Sequence, residues 1–384
     1  MMKRRILYVQ YTNPAAYPSL EHSSGILANL HWEILFLGTG AFSANELQFR
    51  DHPRITVHLL NFCPAGWRQK LHYLWFCLWV IGWTIHWRPQ WIYASDVLIC
   101  PLGLLLSYFP GIKIIYHEHD SPSGPMESQR MHFCLTCRKK LALRSAQCVL
   151  PNQLRVENFQ KEVGGNGNIV SVWNCPTTNE VAQQRLNSKS QKLAVLYHGS
   201  IVPARLPVTV LNALALLQAN VSLTVIGYVT IGHAEYIDQL KKIASDLGIG
   251  QKIHFKNTFP IRSELLRFGK NFDVGVALMP KNSNDLNERT MATASNKPFD
   301  YLAGGLALLV SNLPEWKKMY VEPGYGLTCN PEDPQSIATA LHWYLEHPEE
   351  RRVMGERGRQ RILNDWNYEF QFRPVLGLLN ANYK

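Results

Sequence analysis

Short runs dense in Ile, Val, Leu, Tyr and Trp alternate along the chain with longer stretches whose apolar residues recur every three to four positions. The first pattern is that of buried strands and the second that of helices laid over them, which together predict parallel sheets covered by helices. In the first half the strand-like runs are 6–10, 33–37, 55–60, 91–93, 112–116, 147–150 and 169–172, enough for one complete doubly wound sheet. A polar stretch from Pro176 to Lys192 has few large apolar residues and reads as a linker. The rhythm then restarts with runs at 193–197, 222–226, 252–255, 274–277 and 307–310. The plainest helix signal lies at 234–247, where Tyr236, Ile237, Leu240, Ile243, Ala244 and Leu247 share a face and Gly248 supplies the stop. Helical patterning at 337–345 and 349–363 closes the second half, and the tail 368–379 is placed to cross back onto the first. The expected domains are 1–176, a linker 177–192, a second domain 193–365 and a C-terminal helix within 366–384, with the two sheets facing across a cleft.

Composition narrows this only slightly. With 46% hydrophobic and 18% charged residues the chain reads as globular, and its 384 residues exceed one ordinary core. A net charge of +10 favours polyanions without choosing among them. The eight cysteines are scattered through strands and helices, which suits reduced, cytoplasmic thiols. The apolar stretch after the basic start is too short for a signal peptide. Cys134-x-x-Cys137 lacks a second pair at zinc-finger spacing.

Ligands in open α/β sheets sit beyond the carboxyl ends of strands, so the loops after strands carry the candidate chemistry. One such loop runs Tyr197-His198-Gly199-Ser200-Ile201-Val202-Pro203-Ala204-Arg205 into a helix near Pro207. Glycine lets backbone amides approach a phosphate, and the helix start and Arg205 add positive charge. Taken alone, that loop is better explained as an ordinary strand-to-helix turn with a surface arginine. The second segment is Ser295-Asn296-Lys297-Pro298-Phe299-Asp300-Tyr301-Leu302-Ala303-Gly304-Gly305. A helix starting near Pro298 would put Asn296, Lys297 and free amides at its positive end, with Asp300 one turn in as a hydroxyl acceptor. Asp300 could also merely complement the helix dipole. In the first half, His117 and His119 share one face of a strand, which suits a paired structural or metal role. No acidic residue at suitable spacing supplies a third ligand, so no metal site is expected.

Taken together, the order and spacing of these segments resemble the donor half of glycosyltransferase family 4, whose fold, GT-B, joins two Rossmann-like domains. The resemblance rests on Gly199 and Arg205, on Gly227 after a second strand, and on Lys297 to Gly305, which is similar to the family's Lys-x-Phe-Glu-Tyr-Leu-Ala-x-Gly helix. The downstream Gly324-Tyr325-Gly326 and Asn330-Pro331-Glu332-Asp333-Pro334 follow the same pattern. It implies a transfer of sugar from a nucleotide-diphosphate-sugar to a hydroxyl of a glycan or lipid-linked acceptor, with retention of configuration. It further implies donor contacts at Gly199, Ser200, Arg205, Gly227, Asn296 and Lys297, catalytic roles for Asp300 and His119, and an acceptor-side loop at Ser23-Ser24-Gly25. The nucleotide sugar is a co-substrate, and no cofactor, metal or nucleic acid is expected. Absence of Asp-x-Asp from the sequence supports metal independence. The chain departs from the family at Ser200, where an arginine is common, at Ala292, eight positions before Asp300, where a glutamate is common, and at Asp300, shorter than the usual glutamate. These departures keep two rivals in play: a nucleotide-sugar epimerase on the same plan, and a catalytically inactive partner of a transferase.

One further stretch stands out. The seventeen residues from Leu71 to Trp87 contain no Asp, Glu, Lys or Arg and carry Trp75, Trp79, Trp83 and Trp87 at intervals of four. A buried crossover helix explains its position, while four indoles beside Arg68 and Lys70 also suit an anionic membrane surface touched from the cytoplasmic side.

Overall fold

The computed structural model describes residues 4–42, 44–122, 129–164, 168–183, 192–217 and 220–381. The chain forms two compact units. Unit 1 contains the chain up to Asn174 together with Asp285–Ala294 and the stretch from Tyr368 onward, and unit 2 contains Cys175–Asn284 and Ser295–Asn367.

Unit 1 is built on strands β1 (Arg5–Val9), β2 (Glu33–Thr39), β3 (Ile55–Leu60), β4 (Trp91–Ser95), β5 (Lys113–His117), β6 (Gln147–Leu150) and β7 (Ile169–Ser171). All pair in parallel, in the order β3-β2-β1-β4-β5-β6-β7. Alternation along each strand splits the core in two. Leu7, Val9, Leu35, Leu37, Ile92 and Ala94 face one layer of helices, while Ile6, Tyr8, Ile34, Phe36 and Tyr93 face the other. Tyr368, Phe372, Val375 and Leu379 belong to that second core, and their spacing puts them on one helical face, so the C-terminal tail is part of unit 1.

Unit 2 repeats the plan with β8 (Leu193–Ile201), β9 (Val221–Val229), β10 (Ile253–Lys256), β11 (Val274–Ala277), β12 (Ala307–Ser311) and β13 (Gly326–Cys329), in the parallel order β10-β9-β8-β11-β12-β13. β13 escapes the hydrophobic pattern because it is a short edge strand with one large aliphatic residue, Leu327. Its pairing depends on Tyr344 from a later helix, whose hydroxyl accepts from the Leu327 amide at 2.8 Å.

Two boundaries differ from those expected. Asp285–Ala294 belongs to unit 1. Buried Arg155 donates to Thr290 Oγ1 (2.8 Å) and to the carbonyls of His119 (2.8 Å) and Asn287 (3.1 Å). Asn287 exchanges two hydrogen bonds with the Ser121 backbone. A polar network of this kind has no hydrophobic signature in the sequence. The expected linker 177–192 is packed where it is described. Ala182 donates its amide to the Ala303 carbonyl (2.9 Å), and Glu180 pairs with Arg262 (2.8 Å). Its residues 184–191 lie outside the described set.

The aromatic stretch forms the helix Trp67–Trp87. Phe76, Val80 and Thr84 are buried, and Trp79, Trp83 and Trp87 pack partly against the unit 1 core. The slow drift of a four-residue spacing turns Trp75 outward, and Trp67, Leu71, Leu74, Leu78 and Ile85 accompany it into solvent. Among the described residues no helix is long and apolar enough to cross a membrane.

Candidate functional site

In a doubly wound sheet the crevice opens where the strand order reverses, outside the carboxyl ends of the strands. In unit 2 that place is β8 beside β11. Near the end of β8, Gly199 and Ser200 pair in register with Gly227 and Tyr228 of β9. Glycine is required at both positions. Gly199 has a φ of +104°, and a Cβ there would lie 3.3 Å from the Lys297 amine. A Cβ on Gly227 would sit 1.8 Å from the Gly199 carbonyl oxygen. The backbones thus approach closely and leave room for Lys297, the second residue of the helix Asn296–Ala303.

Cations dominate this corner. Burial first, and then the Arg205 guanidinium, holds the Lys297 amine well below the ordinary lysine range, with Asp300 pulling the other way. Arg205 donates to the Ser200 hydroxyl at 3.0 Å, so the residue standing in the family's arginine position anchors the arginine from farther along the loop. No side chain caps the amino end of the Asn296–Ala303 helix, and buried Asn296 Oδ1 has no hydrogen-bond partner among the described residues. Gly199, Ser200, Arg205, Gly227, Asn296 and Lys297 all belong to unit 2.

Asp300 does not present the open carboxylate that was expected. Arg262 grips both its oxygens, at 3.1 and 2.5 Å, and turns its Nε to Glu180. The spacing was right, but the buried acid faces a guanidinium instead of open hydroxyl space. Arg262 escaped the sequence reading because it lies in a short helix, Arg262–Gly269, far from Asp300 in the chain. His198, also overlooked, places Nε2 3.5 Å from Asp300 Oδ2, and burial together with Lys297 and Arg262 keeps its imidazole neutral by holding its pKa well below the histidine range.

In unit 1 the order reverses at β1 beside β4. His119 follows β5 with its ring buried, Nδ1 3.3 Å from Ser19 Oγ and the ring centre 4.6 Å from that of Tyr17. Burial, then His117 and Arg155, holds its pKa well below the usual range. His117 bonds Tyr93 at 2.8 Å, and burial lowers its pKa to about 3. No group of three metal-ligating side chains occurs among the described residues.

Ser23, Ser24 and Gly25 are not a loop. They lie in the middle of the helix Pro18–Asn29, where Ser23 and Ser24 are fully buried. Their hydroxyls donate back to the Leu20 and Glu21 carbonyls, and Tyr8 bonds Ser23 from beneath. Such local bonding lets serines pass as helix interior, which their sequence suggests poorly. The helix reaches the strand ends through Ser19 instead. Ala292 is fully buried in the unit 1 segment 285–294, so that position presents no polar group.

Also at this end of the sheet is Asp96, directly after β4, with φ +67° and ψ 167°. That region is essentially reserved for glycine and costs another residue about 1–3 kcal/mol. Its Oδ1 accepts the His119 amide and its Oδ2 accepts Gln10 Nε2, both at 3.0 Å. Burial, reinforced by the neighbouring Asp120 carboxylate, raises its pKa to about 7.

Comparison with known proteins joins these features to a class. Residues 178–361, nearly all of unit 2, match the model of the family Glycosyl transferases group 1. The whole fold is shared with solved glycosyltransferases at low identity. HepE from Anabaena, solved in complex with UDP and glucose, is 16% identical with a TM-score of 0.71, covering 98% of this chain and 100% of that one. Sucrose-phosphate synthase from Thermosynechococcus elongatus is 14% identical with a TM-score of 0.72, covering 99% of each chain. An E. coli trehalose-6-phosphate protein bound with UDP-2-fluoro glucose is 15% identical with a TM-score of 0.68, covering 98% and 99%. No curated protein matches the sequence. The chain is a glycosyltransferase of the GT-B fold carrying a group 1 domain.

Proposed function

We propose that the chain is a member of family 4 and moves a sugar from a nucleoside-diphosphate sugar to a hydroxyl of a glycan or lipid-linked acceptor, with retention and without a metal. The observation carrying this reading is the Arg205–Lys297 pair beside Gly199. Two cations near one another, one a buried amine pushed toward neutrality, are poorly matched until an anion arrives. A diphosphate supplies that anion. The uncapped helix start adds amides aimed at the same region. Charge growing on the leaving diphosphate would strengthen both contacts in the transition state, which is how such a site accelerates transfer. The UDP and UDP-sugar complexes of the structural neighbours support this ligand class.

In this reading Gly199, Ser200 and Gly227 shape the phosphate loop, and Asn296 and Lys297 present the helix start. Asp300 becomes a positioning residue that holds Arg262 and favours the charged form of Lys297. His119 serves as a neutral hydrogen-bonding group toward the sugar. The exposed apolar face of Trp67–Trp87, flanked by Arg68 and Lys70, supports peripheral attachment to an anionic membrane, where a lipid-linked acceptor would be presented.

Arg205→Ala is the direct test, read by calorimetric titration with nucleoside diphosphate. Loss of a charge-assisted bond of about 1.5–3 kcal/mol should weaken binding roughly tenfold to hundredfold. Unchanged affinity would remove the diphosphate from this corner.

A further inference from the structure

We propose that Asp96, at the carboxyl ends of β1, β4 and β5, is the residue of unit 1 that receives a hydroxyl of a sugar acceptor. The proposal rests on the transferase reading above and names a group that the reading leaves unassigned.

Four observations lead there. The place is the switch point of unit 1, where β1 pairs with β4 in register from Ile6↔Trp91 to Val9↔Ala94, so Gln10 and Asp96 leave neighbouring strand ends. The backbone at Asp96 is in a glycine-only region, yet the position carries a carboxylate. Such strain persists where surrounding structure enforces it and clusters at working sites. Here the Asp96 amide donates to the His117 carbonyl, the Asp96 carbonyl accepts from Ile99, and the carboxylate is pinned by Gln10 and the His119 amide. Asp96 is also not fully buried as a residue, and each carboxylate oxygen accepts one bond and has lone-pair capacity for a second.

The fourth observation concerns the neighbours. Gln10 Oε1, Ser95 Oγ and His119 Nε2 are buried and have no hydrogen-bond partner among the described residues. Gln10 and His119 are only 3% and 5% exposed, so neither atom is satisfied by lying in bulk water. Buried polar atoms without partners are uncommon and call for an explanation. Gln10 and His119 both bond the Asp96 carboxylate, so two of these unpartnered atoms, an amide oxygen and an imidazole nitrogen able to accept in the appropriate tautomer, belong to its immediate neighbours. The complementary ligand offers several O–H donors on adjacent carbons, which is the chemistry of a polyol or sugar ring. A phosphate would meet the Asp96 charge instead and is disfavoured here.

Asp96→Asn tests this with little disturbance to the scaffold. The amide keeps an oxygen for the His119 N–H, and a flipped Gln10 offers Oε1 to the new NH₂, so the fold is preserved while the charge is lost. Initial rates of nucleoside diphosphate release from UDP-sugars, measured against glycan and glycolipid acceptors, should show the acceptor KM rising at least tenfold. The affinity for UDP, whose proposed contacts lie in unit 2, should stay within about twofold. A wild-type acceptor KM in Asp96→Asn, alongside transfer by the parent protein, overturns this proposal alone. Failure of the parent protein to transfer from any donor overturns the transferase reading and this proposal with it. Asp96→Gly provides the control for a purely structural role: relief of the strained backbone should keep its Tm at or above that of Asp96→Ala, while the acceptor KM still rises. An Asp96→Gly protein that melts well below Asp96→Ala with an unchanged acceptor KM assigns Asp96 to the scaffold and overturns the proposal.

Discussion

The two units share a doubly wound plan and a switch point, yet their strand ends carry opposite chemistry. Unit 2 gathers Arg205, Lys297 and Arg262, with Glu180 and Asp300 occupied by Arg262. Unit 1 gathers Asp96, and Asp120 paired with Arg155 at 3.6 Å, beside imidazoles that burial keeps neutral. The strand order fixes where a ligand can sit, and a few residues after each strand decide what it is. A cationic corner suits a diphosphate, and an acceptor-rich one suits hydroxyls.

Gly227 is the position in unit 2 least able to change. A Cβ at 1.8 Å from the Gly199 oxygen forces the strands apart, so Gly227→Ala should lower stability by about 2–4 kcal/mol and abolish nucleotide binding. Thermal melts with and without UDP will check this, and a wild-type Tm would show that the close approach is dispensable. Lys297→Met should come next, removing a cation from unit 2 while filling similar volume, and weakening nucleoside diphosphate about tenfold to hundredfold with unit 1 undisturbed. Asp300→Asn should have a smaller effect, several-fold on both nucleotide affinity and turnover, because it releases Arg262 and removes the charge that favours protonated Lys297. An effect on turnover with nucleotide affinity untouched would restore Asp300 to direct sugar contact.

Acidity acts through buried imidazoles in both units, His117 and His119 in unit 1 and His198 in unit 2. The His117 pKa of about 3 lies below its unfolded value near 6.5, so on acidification the unfolded chain takes up the proton first. Stability from keeping this ring neutral is therefore complete above about pH 6.5 and declines as pH falls toward 3, by up to about 1.4 kcal/mol per pH unit. His117→Gln should flatten the fall of Tm between about pH 6 and 4; an unaltered slope would show that other groups govern it. The smallest effect on the fold is expected from Trp75→Ser with Leu78→Ser, since both side chains are mainly exposed. Tm should hold within a few degrees, while cosedimentation with vesicles containing anionic lipid should drop. Equal cosedimentation would detach the membrane from this helix.

Sequence pattern carried most of the fold. Twelve of the strands were legible, the central ones because a strand buried on both faces is a nearly continuous apolar run, and the edge strands β3, β7 and β10 because they are rich in β-branched and aromatic residues. β13 was not, since its four residues carry a single large aliphatic side chain, Leu327, and it gains support from Tyr344. The glycine loop and the start of the Asn296–Ala303 helix were legible through Gly199, Gly227 and Lys297, whose placement depends on local backbone and helix position. Arg262 and His198 were missed because their importance arises from Asp300, which is remote in sequence. The Ser23-Ser24-Gly25 assignment failed for a related reason: small polar residues suggest a loop, whereas back-bonding to Leu20 and Glu21 makes them a buried turn of helix.

The alternation of strands and helices, the division into two sheets and the glycine loop with its cations were already written in the local pattern of residues. These follow from periodicity and from short-range backbone requirements, which neighbours in the chain express directly. Tertiary structure alone decided that 285–294 belongs with unit 1, that Asp300 answers to Arg262, that Trp75 faces water while Trp79 packs, and that Asp96 is held in a glycine conformation. Each depends on groups brought together from distant parts of the chain, and polar contacts of that kind leave no period behind them.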